Sequence, residues 1–257
     1  MPSTDALVLR AVAFSETSLI VTFYTRQFGK IEALAKGGRR LKGPFEASLD
    51  LLARNSITFI QKRDDVLDLL TESKLIQRFR VHSTNLAGTL GGFYVAELVN
   101  LLTALEDPMP TLYDTTLKVL QQLESGSLVM RTLIRYEGRL LHILGHSPSF
   151  RNCVQCGVMI PRIPEVRITF GTLDGGVLCA ECLYGHRQTV SVKSETLDVW
   201  EALTCPLDRS ERWKHLLIGP QTLEAIRRLT NQYIRNLLGR EPRSHGWWSL
   251  INKHDFA

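Results

Sequence analysis

Ser18-Leu19-Ile20-Val21-Thr22-Phe23-Tyr24, Gln27-Phe28-Gly29 and Lys30-Ile31-Glu32-Ala33-Leu34-Ala35 read in succession as a strand, a turn and a strand. The first run is rich in β-branched and aromatic side chains, and a glycine marks the reversal. The second run largely alternates inward apolar residues with polar ones, the pattern of a half-buried hairpin. Leu7–Val12 precedes it as a short apolar strand, and Ser56–Ile60 and Leu67–Leu70 follow on either side of the turn Lys62-Arg63-Asp64-Asp65. Five short strands punctuated by turn signals suit a small closed barrel, either an OB-fold or an SH3-like barrel.

From about residue 84 the apolar period changes from two to 3.6. Leu86, Leu90, Phe93, Leu98, Leu101, Leu102 and Leu105 mark one helix, ended by Asp107-Pro108-Met109-Pro110. Gly88, Gly91 and Gly92 inside it suit close helix packing. Leu112, Leu117, Leu120 and Leu123 mark a second helix that stops near Gly126. Leu133, Leu140, Leu141 and Leu144 mark a third, with Gly145 as its C-terminal glycine. Leu197, Trp200 and Leu203 predict a short helix. Pro220 starts the last one at its first helical position, and Gly239 ends it.

Between the third and fourth helices stand Cys153-Val154-Gln155-Cys156 and Cys179-Ala180-Glu181-Cys182, separated by residues 157–178. Two intervening residues let a tight turn aim both thiolates at one point, and two such turns supply the tetrahedral sulfur set that suits Zn²⁺. Val166–Phe170 and Asp174–Leu178 read as two short strands, making a zinc-ribbon-like hairpin with Gly157 at a knuckle turn. A redox CxxC normally stands alone, and a disulfide framework belongs to small secreted chains. Four thiolates leave no open position, so Cys153, Cys156, Cys179 and Cys182 predict a structural metal. The fold class is therefore α+β and multidomain: a five-stranded barrel over 1–80, a helical domain over 81–150 and 189–257, and a zinc-ribbon-like insertion over 151–188.

The 257 residues are 44% hydrophobic and 22% charged, with a net charge of +5 and a pI near 9.0. This permits binding of a polyanion without requiring it. No signal peptide and no run of about 18 apolar residues is present, which points to the cytoplasm. Cys205, beside Pro206, reads as a small buried hydrophobe.

Lys36-Gly37-Gly38-Arg39-Arg40-Leu41-Lys42-Gly43-Pro44 leaves the third strand with four cations, three glycines and no acid. On a small barrel such a loop borders the face where single-stranded nucleic acid lies, so Lys36, Arg39, Arg40 and Lys42 are expected to contact phosphates; the other reading is a solvated loop. Arg227, Arg228 and Arg235 of the last helix, followed by Arg240 and Arg243, extend this basic track or form an ordinary solvated face. Phe14, Tyr24 and Phe28 have the chemistry to stack on bases, but aromatic residues of a small barrel more often form its core. Trp247 and Trp248 are expected to pack under the C-terminal tail. No GxxxxGK[ST], GxSxG, GxGxxG or HExxH motif occurs, His142 and His146 flank a helix end, and Asp64-Asp65 is a weak carboxylate pair. No enzyme reading remains.

These residues resemble the bacterial RecO recombination mediators. The likeness runs through Gly29-Lys30-Ile31 and Ala35-Lys36-Gly37-Gly38-Arg39-Arg40, then Tyr94-Val95-Ala96-Glu97-Leu98. It continues in Arg135-Tyr136-Glu137-Gly138-Arg139-Leu140-Leu141-His142-Ile143-Leu144-Gly145-His146-Ser147-Pro148 and the first CxxC-Gly. It ends in Gly175-Gly176-Val177-Leu178 with the second CxxC and Leu238-Gly239-Arg240-Glu241-Pro242-Arg243-Ser244. The resemblance implies an N-terminal OB-fold and a helical C-terminal domain with a zinc-finger-like insertion. It also implies a non-enzymatic role in DNA repair and recombination within the bacterial cytoplasm, near the nucleoid. That role comprises binding single- and double-stranded DNA, annealing complementary strands, partnering RecR and the C-terminal tail of single-strand-binding protein, and helping to load RecA. After Ser244 the chain departs from the basic ending common in the family, with His245-Gly246-Trp247-Trp248 in its place. The alternative from another class is a zinc-stabilised protein-interaction scaffold without direct nucleic-acid binding.

Overall fold

The computed structural model describes residues 1–40, 43–45, 48–62, 66–126, 128–205 and 212–247. The chain divides into two compact units, Met1–Ser127 and Leu128–Ala257.

In the first unit, β1 (Ser3–Ala13), β2 (Leu19–Thr25), β3 (Gly29–Ala35), β4 (Arg54–Ile60) and β5 (Asp68–Gln77) form a closed barrel in the order β1-β2-β3-β5-β4. β1 pairs antiparallel with both β2 and β4, and a bulge between Val8 and Arg10 bends it between the two partners. β3 meets β5 in parallel through Ala33↔Asp68 and Leu34↔Leu69. This is an OB-type barrel. Its core holds Ala6, Val8, Val21, Phe23, Ile31, Ala33, Ala35, Ile57, Phe59 and Leu70, the inward residues of each alternating strand. Phe45, Leu49 and Ala53 from the β3–β4 connection complete it. β5 runs well past Leu70, because its alternation persists through polar residues on the solvent face.

Helices α1 (Leu86–Leu102) and α2 (Pro110–Ser125) belong to this same unit. The change from strands to helices falls between Gln77 and Leu86, whereas the compact units part only after α2. Asn85 caps α1 by accepting a bond from the Gly88 amide at 2.8 Å. A methyl at Gly88 would meet the Leu123 carbonyl at 2.7 Å, and one at Gly92 would meet the Phe79 ring at 2.5 Å, so both glycines serve close packing.

The expectation that Leu105 lies in the first helix is corrected. The helix ends at Leu102, and Leu105 instead makes an isolated parallel bridge to Lys30. Lys30 explains the stop. Its Nζ donates to the carbonyls of Asn100 at 2.7 Å and Thr103 at 2.5 Å, placing a cation on the negative end of the helix. Partial burial lowers the Lys30 pKa, against the raising influence of Glu32.

The second unit contains α3 (Val129–Ile143), β6 (Arg167–Gly171), β7 (Gly176–Leu178), β8 (Thr189–Lys193), α4 (Ser194–Thr204) and α5 (Pro220–Leu238). The sheet order is β7-β6-β8. Sequence reasoning found β6 and β7 and missed β8, although Thr189-Val190-Ser191-Val192-Lys193 alternates and is β-branched. Phe170 of β6 joins the sheet to the helices, with its ring centroid 5.4 Å from Trp200 and 6.4 Å from Tyr233. Cys205 is half-buried rather than fully buried, because it lies just past the end of α4.

Gly29 turns β2 into β3 at φ +67, and a Cβ there would fall 2.3 Å from the Asp107 carbonyl oxygen and 2.7 Å from its nitrogen. Gly29→Ala therefore combines left-handed strain with a backbone clash. It should destabilise the fold by about 2–4 kcal/mol in chemical denaturation. An unchanged midpoint would contradict this packing.

Candidate metal centre and nucleic-acid interface

The four sulfurs of Cys153, Cys156, Cys179 and Cys182 all lie within 4.8 Å of one another, and Cys156 Sγ stands 3.7 Å from Cys179 Sγ. Four thiolates about 2.3 Å from a tetrahedral ion are about 3.8 Å apart, so the cage has the right size. Local backbone builds it. The Gly157 amide donates to the Cys153 carbonyl at 2.9 Å, the Cys153 amide donates to Val158 at 2.8 Å, and Gly157 takes φ +76. The first knuckle is laced to β7, with the Val154 amide on the Val177 carbonyl at 3.0 Å.

Burial resists ionisation of Cys153, but the amides of Cys156, Cys179 and Gln155, with the Cys156 thiol, outweigh it and bring its pKa down to about 6. Cys182 is pushed up to about 12, chiefly by hydrogen bonds that keep its proton shared with Cys179 and Cys156. The set thus favours one thiolate and resists the next, and a divalent cation bound there would replace the protons that hold the cluster together. The donor set fits a tetrahedral, sulfur-binding metal. Val158 and Met159 beside the first knuckle, and Leu183 and Tyr184 beside the second, are exposed.

In the barrel unit, Lys36, Arg39 and Arg40 are exposed, while Lys42 lies outside the described residues. The turn is tight. The Gly38 amide donates to Ala35 at 3.2 Å and the Arg40 amide to Gly37 at 3.0 Å. Gly37 adopts φ +79, and a Cβ on Gly43 would stand 2.8 Å from the Gly37 oxygen. The loop is pinned to the β1–β2 connection, the Arg39 amide donating to Thr17 at 3.0 Å and its Nη1 to the Ser15 carbonyl at 2.8 Å. Among the described residues no carboxylate pairs with Lys36, Arg39 or Arg40. Three cations are therefore held at the surface with their charge uncompensated.

Arg227 is a correction. It is 3% exposed, and its guanidinium pairs with the fully buried Glu137 at 2.6 Å and donates to Asn231 Oδ1 at 2.8 Å. It cannot face a nucleic acid. The signal was in the spacing, since Leu223, Arg227, Thr230 and Ile234 recur at four, three and four residues along one stripe of α5. Arg228 is exposed but ion-paired with Glu224, one turn earlier. Arg235 is exposed.

The three barrel aromatics divide. Tyr24 is buried and Phe28 packs edge-on against Phe59 at 5.5 Å, as expected for core. Phe14 is not in the core; it is 60% exposed. His142, in the last turn of α3, and His146, just past its end, are surface residues, with His142 Nδ1 near Ser147 Oγ. Trp247 is half-buried, and Asp64, Asp65 and Trp248 lie outside the described residues.

Residues 1–79 match the family described as recombination protein O, N terminal, and residues 83–245 match recombination protein O, C terminal. A DNA repair protein RecO of Rhodopirellula baltica is 44% identical over 198 residues, covering 77% of this chain and 73% of that relative. Another from Syntrophus aciditrophicus is 30% identical over 244 residues, covering 94% and 92%. A third, from Roseiflexus, is 28% identical over 242 residues, covering 94% and 82%.

The cage should take up one equivalent of Zn²⁺ or Co²⁺, and Cys156→Ser should weaken that uptake at least tenfold, by competition against a chromophoric chelator. Equal affinity in the variant would contradict a four-sulfur site. Glu137→Ala removes the buried carboxylate that pairs with the buried Arg227 and should cost about 3–5 kcal/mol in chemical denaturation. The exposed Arg235→Ala should stay within about 0.5 kcal/mol.

Proposed function

The chain belongs to the recombination protein O (RecO) family of DNA repair proteins, and from that premise we propose that it is a recombination mediator that binds DNA through its barrel. The observation that carries this reading is the exposed turn of Lys36, Arg39 and Arg40, free of ion-paired carboxylates on an OB-type barrel. Such barrels bind oligonucleotides on the face of their second and third strands and in the adjoining loops. Point charges on a loop neutralise phosphates without reading bases, which suits a protein that must accept any sequence.

The protein binds single- and double-stranded DNA and brings complementary strands together. Lys36, Arg39, Arg40 and Lys42 lower the repulsion between two phosphate backbones so that pairing can begin. Arg228 and Arg235 supply a secondary contact, weakened at Arg228 by Glu224. Following the family resemblance, RecR and the acidic, apolar tail of single-strand-binding protein are its partners, and RecA loading is the outcome. The work is done in the cytoplasm at the nucleoid and requires binding rather than bond-making chemistry. Residues 1–80 act as the DNA-binding barrel. Residues 81–150 and 189–257 form the helical partner-binding part, and 151–188 are the zinc-stabilised insertion. Zinc bound by the four cysteines is structural: it holds two knuckles together and leaves no position for water.

A second reading has its own support. The exposed Val158, Met159, Leu183 and Tyr184 make the metal hairpin a suitable protein contact, as in an interaction scaffold without nucleic-acid binding.

Filter binding of a labelled oligonucleotide separates the two. If about four phosphates are engaged on single-stranded DNA, log K should fall against log salt with a slope of about −3. Charge reversal of Arg39 and Arg40 together should weaken binding for all sequences alike. Salt-independent affinity, or an unaffected double variant, would leave the scaffold reading.

A further inference from the structure

Phe14 opens the connection between β1 and β2 and is unlike the other barrel aromatics. Phe23, Tyr24 and Phe59 are fully buried and Phe28 leans on the core, whereas Phe14 keeps 60% of its surface exposed. It is not on a floppy tip. The Phe14 amide donates to the Ser18 carbonyl at 3.0 Å, and the Ser18 amide returns a bond to Ser15 Oγ at 3.2 Å. Arg39 then clamps the same connection twice, through Thr17 and Ser15. The aromatic ring is thus one residue from a carbonyl that the phosphate-loop arginine already grips. Arg39 uses one of its five side-chain donor hydrogens on Ser15, and the fork retains others for an anion.

The period of two puts Arg10 and Val12 on one face of β1, Phe14 follows directly after the strand, and all three are exposed. Over residues 10–17 and 36–40 the cations are Arg10, Lys36, Arg39 and Arg40, and the single acid is Glu16. This charge balance favours a polyanion over a protein surface. A phenylalanine has no hydrogen-bonding group, so beside a polyanion it offers a planar apolar face. A base inside a duplex already has both faces stacked, and an unpaired base does not.

We propose that Phe14 is a stacking platform for an unpaired base, held in register with the cationic turn of Lys36, Arg39 and Arg40, and that it makes this site prefer single-stranded over duplex nucleic acid. The inference rests on the DNA-binding reading above and goes beyond phosphate contact, which does not sense whether a base face is free to stack. Stacking is sequence-tolerant because every base has a π-face, so the platform adds strand selectivity without base selectivity.

Fluorescence anisotropy with a labelled oligothymidylate and, separately, a labelled blunt duplex tests it. Phe14→Ala should lose roughly 5- to 150-fold in affinity for the oligothymidylate. Duplex affinity should change less than about twofold, and the salt slope should stay at its original value because no charge is removed. Phe14→Trp should retain the affinity. Circular dichroism should show both variants folded, since the side chain contributes little burial. If Phe14→Ala binds the oligothymidylate as tightly as the parent while reversal of Arg39 and Arg40 abolishes binding, the platform is refuted and the phosphate reading stands. If the Arg39 and Arg40 reversal has no effect either, the DNA-binding reading fails with it. Equal losses on oligothymidylate and duplex would also overturn the inference. So would a Phe14→Ala variant that is intact toward both but impaired in capturing a protein partner, and that outcome would make Phe14 a protein contact.

Discussion

The barrel closes through a short parallel contact, Ala33↔Asp68 and Leu34↔Leu69, and much of the first unit follows from it. Because β3 pairs with β5, the chain cannot turn back from β3 into β4 by a hairpin. It must leave the end of β3, bypass β5 and enter β4 beside β1. Residues 36–53 make that journey, and their two halves do different work. The first half is the exposed cationic turn. The second contributes Phe45, Leu49 and Ala53 to the barrel core. A loop anchored by its own buried residues is a stable platform for charges, and the topology that demands a long connection also supplies it.

The metal hairpin meets a different constraint. A three-stranded sheet of strands this short has too little core to stand alone. It borrows stability on one side from Phe170 against Trp200 and Tyr233. On the other side, the four sulfurs draw two knuckles together. The backbone has already aimed them: the Cys179 amide lies 3.5 Å from Cys153 Sγ, and the lacing of the first knuckle to β7 is independent of any ion. The sulfur cage and the aromatic packing therefore act on one small element.

Strand alternation, helical period, proline at N1 and the CxxC pairs carried the architecture in the sequence, because each is a local rule applied to local residues. What escaped was non-local. Leu105 continues the helical period of α1, yet Lys30, far away in sequence, caps the helix three residues earlier and draws Leu105 into a bridge. β8 is legible as an alternating run, but it lies after the second CxxC pair, and a hairpin between the two pairs needs only two strands. Arg227 sits in the apolar stripe of α5, and its charge suggested solvent; the deciding fact is Glu137, 90 residues earlier in the chain. Phe14 fails in the opposite sense. Aromatics in a small barrel usually fill it, but the end of β1 and the turn after it are uncovered, and residues Arg10 to Glu16 are exposed.

Net charge is a poor guide to where this protein's positive field is strongest, because many of its arginines are engaged by internal partners. In the second unit Arg131 donates to the Leu216 carbonyl at 2.7 Å, Arg135 to Leu203 at 3.1 Å, and Arg227 neutralises Glu137 in the interior. These guanidiniums satisfy carbonyls and carboxylates, so they add to the count of positive charges without adding comparable field outside. In the barrel unit Arg26 and Arg54 are likewise paired, with Asp114 and Asp5. Among the described residues, the turn after β3 gathers three exposed cations with no carboxylate paired to them. A formal excess of five charges spread evenly would attract a polyanion weakly and anywhere. Concentrated on one anchored turn, a smaller number acts at a single place, and the field there is set by the absence of acids as much as by the presence of bases.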